Sequence, residues 1–401
     1  MLRTQAFIID AVRTPVGKYG GVLRDVRPDD LSALAIKTLI DRTKLEPGLV
    51  QDVMWGCANQ AGEDNRNVGR MALLLAGLPY SVPGDTINRL CGSSLDAINQ
   101  AARAIWSDDL EIVIAGGVES MSRAPYSMPK NQSGSYGNLT AYDTSLGWRY
   151  PNTRLEKLFP LEAMGETAEN VAEKYNISRN DQDEFAYNSH MKAVKAQQDC
   201  RFQAELVTVI SEGKKGESIS VDKDEGPRPD TTREKLAALA PVFRKNGTVT
   251  AGNSSSLNDG AAALLIVSEK KSKELGFKPM ARIVSTGIAG VDPRYMGIGP
   301  VPAVETALQK AGLTMNHIDL IELNEAFAAQ SLAVTGDLHF DMKKLNVNGG
   351  AIALGHPLGC SGARIMTTLL HEMKRRKLRY GLATMCIGVG QGIATVVESG
   401  G

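Results

Sequence analysis

A long internal repeat constrains this chain more than any single motif does. The stretch 88-NRLCGSSLDAINQAARAI-105 lies against 356-HPLGCSGARIMTTLLHEM-373 at a shift of 268 residues. Close to that shift, 50-VQDVMWGCANQ-60 and 317-HIDLIELNEAFAAQ-330 each follow a segment with helical spacing. After the repeated helix, 111-EIVIAGGVESM-121 takes the place that 380-YGLATMCIGVG-390 takes in the second copy. Repetition in the same order predicts two similar halves, with reactive-looking residues at matching loop positions.

Short Val/Ile-rich segments alternate with longer Ala/Leu-periodic ones, the signature of an α/β protein with mostly buried strands. Strands are expected over 6–12, 111–117, 262–268, 281–290 and 392–398, and helices over 30–43, 92–106, 166–176, 181–198, 301–312 and 361–376. Between the halves, 130–154 is rich in Gly, Ser, Asn and Tyr, and 212–232 is charged and punctuated by Gly and Pro. Both read as surface loops around a helical core, either an insertion covering a site or a solvated excursion.

At 401 residues the chain can bury large cores. Its 45 Lys+Arg balance 45 Asp+Glu, so nothing global points to nucleic acid or an anionic membrane. Five cysteines without CxxC or paired Cys/His spacing argue against a disulfide framework or a structural zinc. No apolar run approaches the ~18 residues of a membrane span, and the N-terminus lacks a signal h-region. A cytoplasmic protein is the expectation.

Four stretches carry residues suited to chemistry. Cys91 precedes a helix, where free N–H groups and the helix dipole can lower a thiol well below about 8.5, and where the amides of Cys91 and Gly92 can hold an oxyanion. Taken alone, it reads first as a buried structural cysteine. His356 sits between Gly355 and Pro357 in a Gly-rich turn entering a helix, suited to a positioned base, although a loop histidine bonded to backbone is the bland alternative. Cys386 is expected just after a strand, and the glycines following it let backbone approach a ligand. The GxGxG that follows is no dinucleotide fingerprint, because too little chain remains for the helix and second strand. Asn324 either holds a water or an oxyanion, or caps a short Ala-rich helix.

Together, RLCGSS at Cys91, NEAFA from Asn324, GHPLG around His356 and CIGVGQG from Cys386, with IAGGVESMSRAP at 114–125 and TVTAGNSSSLNDGAA at 248–262, resemble the thiolase family in family order over nearly the whole chain. That resemblance implies five alternating layers, αβαβα, from two similar halves with an inserted loop domain that binds coenzyme A. The halves would be residues 1–125 with 251–276 and residues 277–401, with the loop domain at 126–250. A homodimer or homotetramer is implied, and thiolytic cleavage of a 3-oxoacyl-CoA to acetyl-CoA and a shortened acyl-CoA.

Carried over, Cys91 would be the acylated nucleophile and His356 its base, and Cys386 would move the proton at the α-carbon. Asn324, through a water, and His356 would hold the thioester oxygen, and the backbone of Cys91 and Gly388 would form a second oxyanion site. No metal is needed, and coenzyme A enters as co-substrate rather than as a permanently bound cofactor. The resemblance assigns Arg228 to its adenosine end, Ser255 to the pantetheine arm, Met164 and Phe243 to the pantetheine and thioester tunnel, and Phe327 to the acyl end. For Met164 and Phe243, ordinary core packing is the alternative.

Relatives often have Ala and Gly where this chain has Ser254 and Ser256, and the acetoacetyl-CoA-forming acetyltransferases usually have His where Ala163 stands. A degradative thiolase is therefore the expectation. Residues 158–175 look like general fatty-acyl thiolases, whereas 56–79 and CIGVGQG resemble the branch that cleaves 3-oxoadipyl-CoA in aromatic degradation. The second cysteine disfavours condensing enzymes acting on acyl carrier protein. A non-enzymatic CoA- or lipid-binding protein would lack a catalytic group.

Overall fold

A computed structural model describes residues 4–130, 139–212 and 217–400, so parts of both expected loops, 131–138 and 213–216, lie outside the described residues. The core strands are β1 (Ala6–Arg13), β2 (Asp52–Gly56), β3 (Gly84–Ile87), β4 (Ile112–Ser120), β5 (Asn258–Ser268), β6 (Ala281–Gly290), β7 (Leu320–Leu323), β8 (Tyr380–Ile387) and β9 (Gln391–Ser399). The main helices are α1 (Pro28–Thr43), α2 (Val68–Leu75), α3 (Ser93–Trp106), α4 (Met164–Lys174), α5 (Arg179–Gln198), α6 (Pro300–Ala311), α7 (Ala328–Asp337) and α8 (Leu358–Arg376).

The strands pair in the order β7-β8-β9-β6-β1-β5-β4-β2-β3. Read outward from the β6–β1 junction, each side repeats the other: β6 and β1, β9 and β5, β8 and β4, β7 and β2. Even the irregularities match, since a register shift between Ile8 and Asp10 in β1 recurs between Ile283 and Ser285 in β6. The repeat in the sequence is therefore a repeat in the fold.

Period-two alternation builds the layers. In β5, Ala262, Leu264 and Ile266 turn to one core, and Ala261, Ala263, Leu265 and Val267 turn to another. In β8, Ala383, Met385 and Ile387 face the same central core, and Leu382 faces the far one. The central core holds α3 and α8 through Leu95, Ile98, Ile105, Ile365, Met366 and Leu369. Helices α1 and α2 cover the outer face of one half-sheet, and α6 and α7 that of the other. The result is five layers, αβαβα. Strands buried on both faces are continuously apolar, as β5 is from Ala261 to Val267.

Helix ends follow local chemistry. Pro300 opens α6 and Gly312 closes it in the left-handed region, while α8 starts after Pro357 and ends on Lys374, Arg375 and Arg376, cations suited to its C-terminal dipole. All the expected strands and helices form, with ends moved by a few residues. Unanticipated were the short helix α2 and the strands β2, β3 and β7, too short to show a period, while β8, expected to end before Cys386, runs through it to Ile387.

Between 126 and 250 the chain forms α4 and α5, both packed on α7, with two small hairpins at Tyr126–Ser127/Tyr142–Asp143 and Val209–Glu212/Ser218–Val221. Buried Arg13 of β1 ties this segment down: Nε donates to Glu205 at 2.6 Å, and Nη1 and Nη2 donate to Asp224 at 2.7 and 2.9 Å. Removing that cation would strand two buried carboxylates. Arg13→Met is expected to lose about 3–5 kcal/mol of stability, measured as a lowered urea midpoint; an unchanged midpoint would refute the role given to Arg13.

Candidate active site

The first turns of α3 and α8 touch. Ala363 N–H of α8 donates to Ser94 Oγ of α3 at 2.9 Å, and a Cβ on Gly362 would stand 2.3 Å from Leu95 N. The residues just upstream of each helix, Cys91 and His356, are thereby brought to the same end of the central layer. Glu119 at the end of β4 joins them: its carboxylate accepts the Gly359 N–H of α8 at 2.7 Å and acts electrostatically on the Cys91 thiol.

The Cys91 loop is clamped. Leu90 is left-handed (φ 47°), its N–H bonded to Asn88 Oδ1 at 2.9 Å, and Ser93 Oγ accepts from Arg89 N at 3.0 Å and donates to Leu90 O at 2.6 Å. Backbone strain of this kind is typical where a loop must present a functional group. Two expectations need correction here. The Gly92 N–H donates to Arg89 O at 3.0 Å, so it is not free for an oxyanion. The thiol is also not lowered: burial raises it to about 11, outweighing the amides of Gly388 and Cys91 directed at its sulfur. The helix dipole argument counted local amides and omitted the crowding supplied by distant segments.

His356 is buried, its N–H held by Asn258 Oδ1 at 2.9 Å. Ser361 Oγ gives its own proton to Pro357 O at 2.9 Å, so at 2.6 Å from Nδ1 it accepts, leaving the ring's lone pair on Nε2. Burial first, and Arg364 second, lower the imidazole to about 3. It is a neutral base at any physiological pH. Asn324 Nδ2 stands 3.4 Å from both ring nitrogens, and Asn324 Oδ1 is buried with no partner among the described residues. Asn324 is not a cap, since Phe327 occupies that position of α7.

Cys386 lies within β8, not after it, and its thiol is pushed up by burial and by the neighbouring Cys91. The following GxGxG forms the turn of the antiparallel β8–β9 hairpin, where Val389 and Gly390 have φ of 62° and 79°. That turn sets Gly388 between Leu90 and Met164, each 3.4 Å from where its Cβ would be.

Met164, Phe327 and Cys386 share one apolar cluster. Phe243 meets Phe327 edge to face, with centroids 6.3 Å apart, yet is 40% exposed, which core packing does not explain. Further out, a cleft of about 380 Å³ is lined by Lys18, His190, Arg228, Ser254 and Ser256. Arg228 is exposed there, its N–H on His190 Nδ1 at 3.3 Å, and Ser255 is held beside the cleft by its N–H to Ala326 O at 2.9 Å. A larger cleft, about 690 Å³, lies around Arg24, Arg27, Glu63 and Arg123, with neither a cysteine nor a histidine in its lining.

Among the described residues, Cys57, Asp64 and Glu119 are grouped closely enough to suggest a metal. Glu119, however, already accepts from Ala58, Asn59 and Gly359 N–H and from the Cys57 thiol, and Asp64 accepts from Gln60 and Gly62. The cluster braces the loop after β2 against α8. Glu119, Asn258 and Ser361 were missed as site residues, although each lies in a quoted motif as a polar group among apolar or small neighbours.

Two protonated thiols, a neutral histidine with its lone pair on Nε2 and convergent amides are the groups of a thiol-dependent acyltransferase. Residues 6–270 match the thiolase N-terminal domain and residues 277–399 the thiolase C-terminal domain. The chain is 54% identical to an Escherichia coli 3-oxoadipyl-CoA/3-oxo-5,6-dehydrosuberyl-CoA thiolase, over 98% of this chain and 99% of that one. It is 52% identical, with the same coverage, to a β-ketoadipyl-CoA thiolase of Acinetobacter baylyi. The crystal structure of human mitochondrial 3-ketoacyl-CoA thiolase in complex with CoA superposes with a TM-score of 0.92 at 42% identity, covering 99% of this chain and 98% of that one. The chain belongs to the thiolase family, and it catalyses thiolytic cleavage of a 3-oxoacyl-CoA.

With His356 neutral down to about pH 3 and Cys91 protonated up to about 11, base-assisted alkylation of Cys91 should be nearly flat from pH 5 to 8. In His356→Ala it should rise about tenfold per pH unit, following the thiolate alone. Iodoacetamide kinetics test this, and a wild-type inflection near pH 6.5 would contradict a neutral His356.

Proposed function

We propose that Cys91, His356, Cys386, Asn324 and Gly388 carry out the cleavage, and that the acyl group cleaved is a short dicarboxylate, 3-oxoadipyl-CoA. The meeting of both thiols, the unprotonated Nε2 and the Gly388 amide at the ends of α3, α8 and β8 supports these roles. His356 Nε2 takes the Cys91 proton as sulfur attacks the 3-keto carbon, and the amides of Cys91 and Gly388 receive the oxyanion. Collapse breaks the bond between C2 and C3. The departing enolate oxygen is held by Asn324, through a water, and His356, while Cys386 protonates C2 to give acetyl-CoA. The imidazolium returns a proton to Cys386. His356 then deprotonates coenzyme A, whose sulfur displaces the acyl group, and Cys91 leaves with the proton from His356.

Arg228 would take the adenosine end of coenzyme A, Ser255 the pantetheine arm, Met164 and Phe243 the thioester tunnel, and Phe327 the acyl end. The clustering of Met164 and Phe327 with Cys386 and the exposure of Phe243 support this. Residues 126–250 then act as the loop domain, set in a half made of 1–125 and 251–276 and followed by the half 277–401. Three of the CoA contacts, Met164, Arg228 and Phe243, come from it. A homodimer or homotetramer is proposed, supported by the open edge of β3 beside exposed Leu74, Leu75 and Tyr80. The five unpaired cysteines fit a cytoplasmic enzyme. The full-length relatives support the dicarboxylate substrate over longer fatty-acyl chains.

Turnover of acetoacetyl-, 3-oxooctanoyl- and 3-oxoadipyl-CoA should favour the last, and Cys91→Ala should abolish all three. Cys386→Ala should slow proton exchange at the acetyl methyl about 10²- to 10⁴-fold and acylation of Cys91 much less; equal slowing would remove its separate role.

A further inference from the structure

A succinyl group on Cys91 ends in a carboxylate that must enter a partly desolvated pocket, and burying that charge without a partner is costly. Most cations near the mouth are already matched. Arg89 is on Asp96 at 2.9 Å, Arg244 on Glu166 at 2.9 Å and Arg294 on Asp292 at 2.5 Å, and Lys174 stands over the Tyr295 ring at 4.4 Å. Arg149 differs from these. It is half-buried, its hydrogen bonds go from Nη1 to Asn59 Oδ1 at 3.0 Å and Thr144 O at 3.5 Å, and no carboxylate pairs with it among the described residues. Its Nε and Nη2 make no hydrogen bond there, and these are the two nitrogens of a bidentate fork.

The chain around Arg149 is strapped to both walls of the acyl site. Neighbouring Trp148 Nε1–H donates to Glu162 O at 3.1 Å, two residues before Met164. On the other side, Asn59 holds Thr144 Oγ1 at 3.3 Å as well as Arg149. Asn59 follows Ala58, whose carbonyl accepts from Asn88 Nδ2 at 3.0 Å, and Asn88 in turn fixes the Leu90 N–H at 2.9 Å beside Cys91. Leu90 and Met164 flank Gly388, so residues 144–149 bridge the side of the nucleophile and the side of the tunnel.

Building on the dicarboxylate substrate proposed above, we propose that Arg149 is the specificity-determining cation that receives the distal carboxylate of the acyl group. It acts through Nε and Nη2, while Asn59 and Thr144 hold Nη1 in place. The recognition chemistry is a carboxylate at the far end of a short chain, with a neutral chain of equal length as the disfavoured competitor.

The test compares kcat/KM for 3-oxoadipyl-CoA with that for 3-oxohexanoyl-CoA, its methyl-ended counterpart, in wild type, Arg149→Gln and Arg149→Lys. Arg149→Gln should lower kcat/KM for the dicarboxylate about 100-fold while leaving the methyl-ended substrate unchanged or improved, which also shows that the variant folds. Arg149→Lys should recover part of the loss, because the charge remains without the fork. A retained preference in Arg149→Gln, or an equal loss on both substrates, would overturn the role of Arg149 and leave the dicarboxylate reading standing. No preference in wild type would overturn that reading and this one with it.

Discussion

Backbone contact between the first turns of α3 and α8 underlies the arrangement of the whole molecule. A Cβ on Gly362 would collide with Leu95 N, and one on Gly117 of β4 would come within 2.3 Å of Gly359 O. Small residues at these crossings let both helices lie against each other and against the strands that clasp them. Interiors pack at crystal-like density, so such contacts admit no slack. With the two helix starts joined through Ser94 and Ala363, the loops before them have to meet. The loop after β2 and the turn of the β8–β9 hairpin close over the same point, bringing Glu119, Gly388 and Cys386 with them.

The burial that makes this packing possible also sets the protonation states. Desolvation is the foremost cause of the shifts of Cys91 to about 11, His356 to about 3 and Glu119 to about 7. Each group is therefore held in its neutral form more strongly than in water. A resting thiolate–imidazolium pair would carry two charges in a site that disfavours both. Keeping the thiol and the histidine neutral spares the site both charges, with the Cys91 and Gly388 amides directed at the sulfur. The buried Arg13 resolves the same difficulty differently, by matching carboxylates from the inserted segment at hydrogen-bonding distance.

Much of the architecture was legible because it rests on local periodicity and on repetition. Long helices such as α8 and long strands such as β5 show their period over enough residues to be seen, whereas β2 and β7, with five and four residues, do not. Cys91, His356, Asn324 and Cys386 stood out by their surroundings of glycine, proline and small residues, and their family order made them one set. Ser361, Asn258 and Glu119 were harder to see. A serine inside GHPLGCSGAR or an asparagine in SSSLNDG has no local mark that distinguishes a histidine's partner from a turn residue.

By itself, then, the sequence determined the α/β class, the two-half organisation and the family, because spacing, turn chemistry and repetition act over short stretches or survive as order along the chain. Tertiary structure alone decided that the Gly92 amide is taken by Arg89 O, that the thiol is raised rather than lowered, which nitrogen of His356 carries the lone pair, and that Arg149 has no carboxylate partner among the described residues. The raised thiol rests on crowding by segments distant in the chain, and even the short-range bonds of Gly92 to Arg89 O and of His356 to Ser361 Oγ take their place in the site only once the two helices and the two half-sheets have closed on one another.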